Sequence, residues 1–252
     1  MKSLTQFIQE KLVIKKNKTQ NYKYFPKTKK ELREIIEQRI EQEGNEVDLN
    51  NIDTSKITNM SSLFEDTDFN GDISRWDVSN VKNMSFMFFE CISFNGDISL
   101  WDVSKVTSMQ SMFYACKSFN TDISNWDVSN VTNMISMFYR CKSFNQDISN
   151  WDVSKVISMW GMFYGCENFN QDISQWDVSN VENMSAMFYN CQSFNQDISK
   201  WDVSNVTNMN SMFTLCKSFN QNISSWDVSL VNNWDYVFSH CPIKERFKPK
   251  FK

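Results

Sequence analysis

Histidine occurs once in 252 residues, glycine five times and proline three times. The lone imidazole, His240, stands beside the last cysteine and has no second histidine to work with, so no enzyme constellation is visible. The scarcity of glycine and proline excludes a low-complexity tract built on either. No apolar run approaches the roughly 18 residues of a membrane span. The cysteines never pair at metal-ligand spacing such as C-x-x-C, so no metal site and no cofactor is expected. The leading stretch MKSLTQFIQEKLVIKKNK breaks its apolar part with Gln and Glu and lacks a small-residue cleavage site, a poor secretory signal. With an odd number of thiols, the expectation is a reducing, cytoplasmic setting, with the cell surface or a virion as the alternative.

What the chain has is a block of 25 residues. Trp76, Trp101, Trp126, Trp151, Trp176, Trp201 and Trp226 keep that step, as do seven cysteines from Cys91 to Cys241 and seven Phe-Asn steps from Asn70 to Asn220. One fixed period of this length is the signature of a stacked solenoid. The first turn is degenerate: Ile52 stands where Trp belongs, and its Cys is missing.

The net charge of −4 conceals an uneven distribution. Residues 1–30 hold nine Lys against one Glu, whereas residues 47–241 hold ten basic against 22 acidic side chains. Four segments follow: a basic arm with an amphipathic helix (1–26), a capping helix (27–46), the solenoid of eight turns (47–241) and a basic tail (242–252). In the arm, Leu4, Phe7, Ile8 and Leu12 share one helical face, and residues 15–26 read as a loop. The capping helix is announced by Thr28 with Glu31 three residues on, carries Leu32, Ile35, Ile36 and Ile40 as its apolar stripe, and stops at Gly44. Its expected work is to cover the open first turn.

Within a block two spacings alternate. Trp101 and Val103, two apart with Asp102 between them, read as a short strand, while Val106, Met109, Met112, Phe113 and Cys116, three and four apart, read as a short helix beginning at Ser104. Adjacent strands lie about 4.8 Å apart and packed helices roughly 8–10 Å. Such a stack must curve, strands inside and helices outside. The expectation is an α/β, right-handed solenoid with short parallel strands on the concave side, short helices outside and an N-terminal helical cap.

The blocks FNQDISNWDVSKV, FNQDISQWDVSNV and FNQDISKWDVSNV, each followed by a Met–Phe–Cys segment, resemble the 25-residue repeats of BspA-like leucine-rich-repeat surface proteins and mycoplasma lipoproteins. The likeness covers about residues 47–241. It implies a leucine-rich-repeat-like solenoid used for attachment and protein binding, with no shared catalytic residue to carry over.

The residues offer four candidate features. The Trp and Cys columns read as core, the cysteines as reduced apolar plugs. The Asn of each Phe-Asn step is expected to bond the neighbouring coil's backbone. Asp77, Asp102, Asp127, Asp152, Asp177, Asp202 and Asp227 form a row of like charges that needs relief from flanking Ser, from cations or from a basic partner. Beside them Arg75, Leu100, Asn125, Asn150, Gln175, Lys200 and Ser225 vary from copy to copy, which is where specificity can reside. The protein-binding surface is therefore expected on Arg75, Asp77, Asp102, Asn125, Asp127, Asn150, Asp152, Gln175, Asp177, Lys200 and Asp202, facing a protein with a basic surface. Separately, Lys15, Lys16, Lys18, Lys23, Lys27, Lys29 and Lys30, interleaved with Tyr22, Tyr24 and Phe25, can contact nucleic acid or an anionic membrane. The leading function is a non-catalytic protein-binding scaffold; the alternatives are a surface or virion attachment protein and an anchor acting through the basic arm.

Overall fold

The computed structural model describes residues 21–251. Each block closes one coil because its periodic apolar residues point to one interior. In the block around Trp151, the side chains of Ile148, Trp151, Val153, Val156, Met159, Met162, Phe163, Cys166 and Phe169 are buried, and their equivalents one block away are buried with them. The coils pile into one continuous core that runs the length of the array. Equivalent rings stack coil on coil, as with Phe113 on Phe138 and Phe138 on Phe163, both at 5.8 Å.

The first end is closed by helix α1 (Lys29–Glu43). Thr28 accepts the Glu31 N–H, and the Glu31 carboxylate accepts the Lys27 N–H, so the expected capping signal is used. Gly44 ends the helix with φ 85°, a conformation that suits glycine. Leu32 and Ile36 enter the core, while Ile35 and Ile40 pack at its edge. Arg39, which no apolar pattern marks, is also buried; it pairs with Glu43, donates to Asn51 and lies over the Tyr24 ring. Tyr24 forms a parallel bridge with Ile52, so the end of the predicted loop is laid along the first coil. Gly71 is required there, because a Cβ on it would meet the Val47 carbonyl at 2.1 Å.

Inside the array the backbone differs from the expected strand and helix. Among the described residues the only α-helix is α1, and the coils hold no strand longer than an isolated bridge. The Trp segment is a pair of turns: the Trp151 N–H bonds the Ile148 carbonyl at 3.2 Å and the Val156 N–H bonds Val153 at 2.9 Å. The parallel bridges lie elsewhere, on the column Asn59, Asn83, Ser108, Asn133, Ser158, Asn183, Asn208 and Asn233. The Met–Phe–Cys segment is not helical either. Its alternate N–H groups point to the next coil: Met159 to Asn183, Gly161 to Ser185, Phe163 to Met187 and Gly165 to Tyr189, at 2.7–3.0 Å. The remaining N–H groups close turns, as Met162 does on Met159 and Cys166 on Phe163. Two residues per coil take left-handed φ, for example Ser136 at 53° and Arg140 at 59°. Such residues end a right-handed helix, each at a cost of roughly 1–2 kcal/mol outside glycine, which the bonds between coils offset. The architecture is a solenoid of consecutive turns carried on one ladder.

Curvature follows from that ladder. Equivalent points in successive coils are displaced by the same operation, so their separation grows with distance from the axis of curvature. The stacked tyrosines Tyr114, Tyr139, Tyr164 and Tyr189 repeat at 4.2–4.5 Å. The indoles repeat at 6.5 Å between Trp126 and Trp151 and at 6.4 Å between Trp201 and Trp226. The tyrosine and bridge side is therefore the tight side, and the Trp side the wide one. The expected placing of the Trp segment and its Asp row inside the curve is corrected: the column with strand-like spacing is inside, as geometry demands, but it belongs to the Asn–Met segment.

Candidate functional site

The wide face is built from two rows of Asp, and the sequence dictates their posture. Asp is followed two residues later by Ser, so its carboxylate accepts that residue's backbone N–H, an Asx turn. Asp152 accepts the Ser154 N–H at 3.0 Å and its hydroxyl at 2.6 Å; Asp102 and Asp177 do the same with Ser104 and Ser179. Asp127 and Asp202 accept the N–H of Ser129 and Ser204. The second row, represented by Asp147 on Ser149 and Asp172 on Ser174, holds the turn before each Trp. These bonds favour the charged form: the Ser154 and Ser204 hydroxyls, then their N–H groups, keep the carboxyls of Asp152 and Asp202 below the usual range. The relief expected from flanking Ser is thus present.

Asp102, Asp127, Asp152, Asp177, Asp202 and Asp227 are exposed and Asp77 is half-buried. Arg75, Leu100, Asn125, Asn150, Gln175, Lys200 and Ser225 are exposed beside them. Arg75 lies 3.8 Å from Asp48, and Lys155 donates to Asn130. The predicted surface residues therefore belong to the Trp segments and, Asp77 apart, are exposed. Of the basic arm, Lys23, Lys27, Lys29 and Lys30 lie at the capped end: Lys23 bonds the Asn51 carbonyl, Lys29 the Ser61 hydroxyl, and Lys30 pairs with Glu34. The predicted helix over residues 3–14 and Lys15, Lys16 and Lys18 lie outside the described residues.

The repeated polar residues are absorbed by the scaffold. Each indole of the Trp column donates to a carbonyl one coil back, Leu49 for Trp76 and an Ile for the others, as Trp151 does to Ile123 at 3.2 Å. Each buried Cys donates to a Phe carbonyl, as Cys166 does to Phe138 at 2.9 Å. All seven cysteines are free thiols. The Asn ladder works as expected: Asn145 accepts the Asn170 N–H at 2.9 Å and the Gln171 side chain at 3.0 Å. Asn145→Ala should cost about 1 kcal/mol, the usual net worth of such a bond; a chemical denaturation titration measures it, and an unchanged midpoint would remove the ladder from the stabilising contacts. Among the described residues no three His, Cys, Asp or Glu side chains gather as metal ligands, and no helix is long and apolar enough to cross a membrane.

One feature of the tight side escapes the sequence reading. Phe89, Tyr114, Tyr139, Tyr164 and Tyr189 stack in one half-buried file. Beside it, in one coil alone, Ile157 and Trp160 are 52% and 44% exposed. The 25-residue recurrence of an aromatic after the Met-Phe pair, from Phe89 to Tyr189, is the signal that could have found the file.

The chain belongs to a family of repeat proteins. The model described as Mycoplasma protein of unknown function, DUF285, matches residues 30–151 and again 132–248, which agrees with the repeat resemblance drawn above. Among curated proteins none matches the chain in sequence. Of solved structures, a leucine-rich repeat protein of T. pallidum is 12% identical, with a TM-score of 0.30 over 54% of this chain and 59% of its own. A leucine-rich repeat protein from Bacteroides ovatus is 13% identical, with a TM-score of 0.22 over 74% of this chain and 65% of that one. The chain thus spans less than two thirds of either.

Proposed function

We propose that the chain is a non-catalytic scaffold that binds a protein with a basic surface through the acidic wide face. The observation that carries this reading is the exposed Asp row, each side chain fixed by its own Ser, with residues that differ between copies standing beside it. Fixed carboxylates lose little freedom on binding, and a predominantly negative face steers and selects a partner of the opposite sign. The centre is Asp127, Asp152 and Asp177 with Asn125, Asn150 and Gln175.

The test replaces Asp127, Asp152 and Asp177 together by Asn. Asn preserves the turn, since Asn222 at the equivalent of the second Asp row already accepts from Ser224 at 3.2 and 2.8 Å. Three exposed charge pairs at ~0.2–1 kcal/mol each predict roughly a 3- to 150-fold loss of affinity for a partner captured from the native source at low salt. Equal capture by the triple variant at low salt sinks the reading.

A further inference from the structure

The two ends of the ladder differ. At the first end α1 lies against the first coil: its Arg33 donates to the Ser62 carbonyl and its Lys29 to the Ser61 hydroxyl. At the other end the donor edge is open. In the preceding coil the N–H groups of Met209, Ser211, Phe213 and Leu215 bond the carbonyls of Asn233, Asp235, Val237 and Ser239, all at 2.8 Å. The next set in the same register belongs to Trp234, Tyr236, Phe238 and His240. Among the described residues no acceptor meets any of these four N–H groups. Tyr236 and His240 keep the left-handed φ of their column, 59° and 55°, so the donor row retains the form it has inside the array.

The basic tail returns over the other half of this edge and gives no acceptor to the donor row. Lys244 bonds Asn220, the Ile223 N–H bonds the Phe247 carbonyl, and Phe251 stacks on Trp234 at 5.6 Å. Between the tail and the last coil runs a groove of about 690 Å³, lined by Trp234, Tyr236, Phe238, Lys248, Lys250 and Phe251 among others. Its rim is apolar, with Tyr236 73% and Trp234 37% exposed. The tail carries Lys244, Arg246, Lys248 and Lys250 against Glu245, and the coil adds Asp235.

We propose that this groove binds an acidic segment of a partner protein, which takes the consecutive-turn form of an array coil and adds its carbonyls to the four open donors as one more parallel rung. Hydrogen bonding selects the occupant: a row of open donors at an edge is a template that takes a row of acceptors. The surplus of cations favours acidic flanks, and the exposed rings offer apolar contact to alternate side chains, as in strand addition to a sheet edge. A second copy fits poorly. Its matching edge would oppose donor to donor, and α1 stands against the coil that bears its carbonyl edge. This surface is separate from the Asp face, so either proposal can fail alone.

The probe is a fluorescein-labelled peptide with the sequence of residues 182–190, Glu-Asn-Met-Ser-Ala-Met-Phe-Tyr-Asn, extended by two Asp at its end. In the array the carbonyls of Asn183, Ser185, Met187 and Tyr189 already fill this acceptor role. Titrated into the full chain, it should bind saturably below about 1 mM. A scrambled peptide, and separately the Lys248→Glu/Lys250→Glu variant, should bind at least tenfold more weakly. Amide exchange followed by NMR should slow at least tenfold at Trp234, Tyr236, Phe238 and His240. Absent binding, equal binding of the scrambled peptide, or protection elsewhere overturns the proposal. Protection of the four amides that rises with protein concentration alone also overturns it, because the occupant is then a second copy.

Discussion

Raising the pH past 9 should unfold the array cooperatively. Cys116, Cys141, Cys166, Cys191 and Cys216 are buried, and loss of solvation pushes each thiol well above its ordinary value of 9.0. Cys91 is pushed up to about 11 by the same cause. In the unfolded chain the thiols ionise near 9; in the folded chain they stay protonated. The folded state therefore holds more protons in this range, and stability, fully present below pH 9, falls as the pH climbs toward the folded values. At pH 10.5 each fully buried thiol costs about 2 kcal/mol, so five of them remove roughly 10 kcal/mol, comparable with the whole stability of an ordinary domain at about 5–15 kcal/mol. Burial and neighbouring tyrosines also raise Tyr139 and Tyr189, which act in the same direction at higher pH. The measurement follows tryptophan fluorescence and thiolate absorbance together from pH 7 to 11. Both should change in one step, and Cys141→Ala/Cys166→Ala should make the step shallower. Thiolates that appear near pH 9 while the fluorescence stays native would contradict the buried, protonated column.

The sequence told its interior better than its backbone. Trp151 and Cys166 repeat because each position must both fill the core and satisfy a carbonyl of the coil below, and a strict period makes that demand legible. The cap at Thr28 and Glu31 is equally local in origin. The turn architecture was hidden because Val106, Met109, Met112, Phe113 and Cys116 keep helical spacing, yet consecutive turns produce that spacing too. The decisive hint is a left-handed backbone at two positions per coil, and glycine marks both only at Gly161 and Gly165. Elsewhere Ser136, Arg140, Ala186 and Asn190 occupy them and disguise the requirement. For the Asp row the sequence left flanking Ser, cations or a basic partner open as relief, and the Ser bonds are the ones present. Its side of the curve was not readable, because curvature is decided by which column carries the ladder, and that depends on bonds between residues 24 or 25 apart. Arg39 was missed for a related reason: its partners, Asn51 and the Asp48 carbonyl, lie in the first coil and leave no mark on the helix pattern.

Trp151→Ala should cost about 3–5 kcal/mol, the range for removing a large buried ring. The indole is 3% exposed and stacks on Trp126 at 6.5 Å and against Phe138 at 6.2 Å. Its removal also leaves the Ile123 carbonyl without the indole N–H. In a solenoid each coil leans only on its neighbours, so the lesion divides the array into two shorter stacks. The same change at Trp226, next to the open end, weakens one terminal coil and leaves the rest joined. Guanidinium titrations should therefore show an earlier and broader transition for the Trp151 variant than for the Trp226 variant. Trp151→Phe separates the two contributions, because it restores most of the ring contact without the donor. It should recover more than half of the loss, since packing exceeds a single hydrogen bond of about 1 kcal/mol. A loss below about 1 kcal/mol for Trp151→Ala, against the several expected of a filled core site, would mean that the indole column does not hold the coils together.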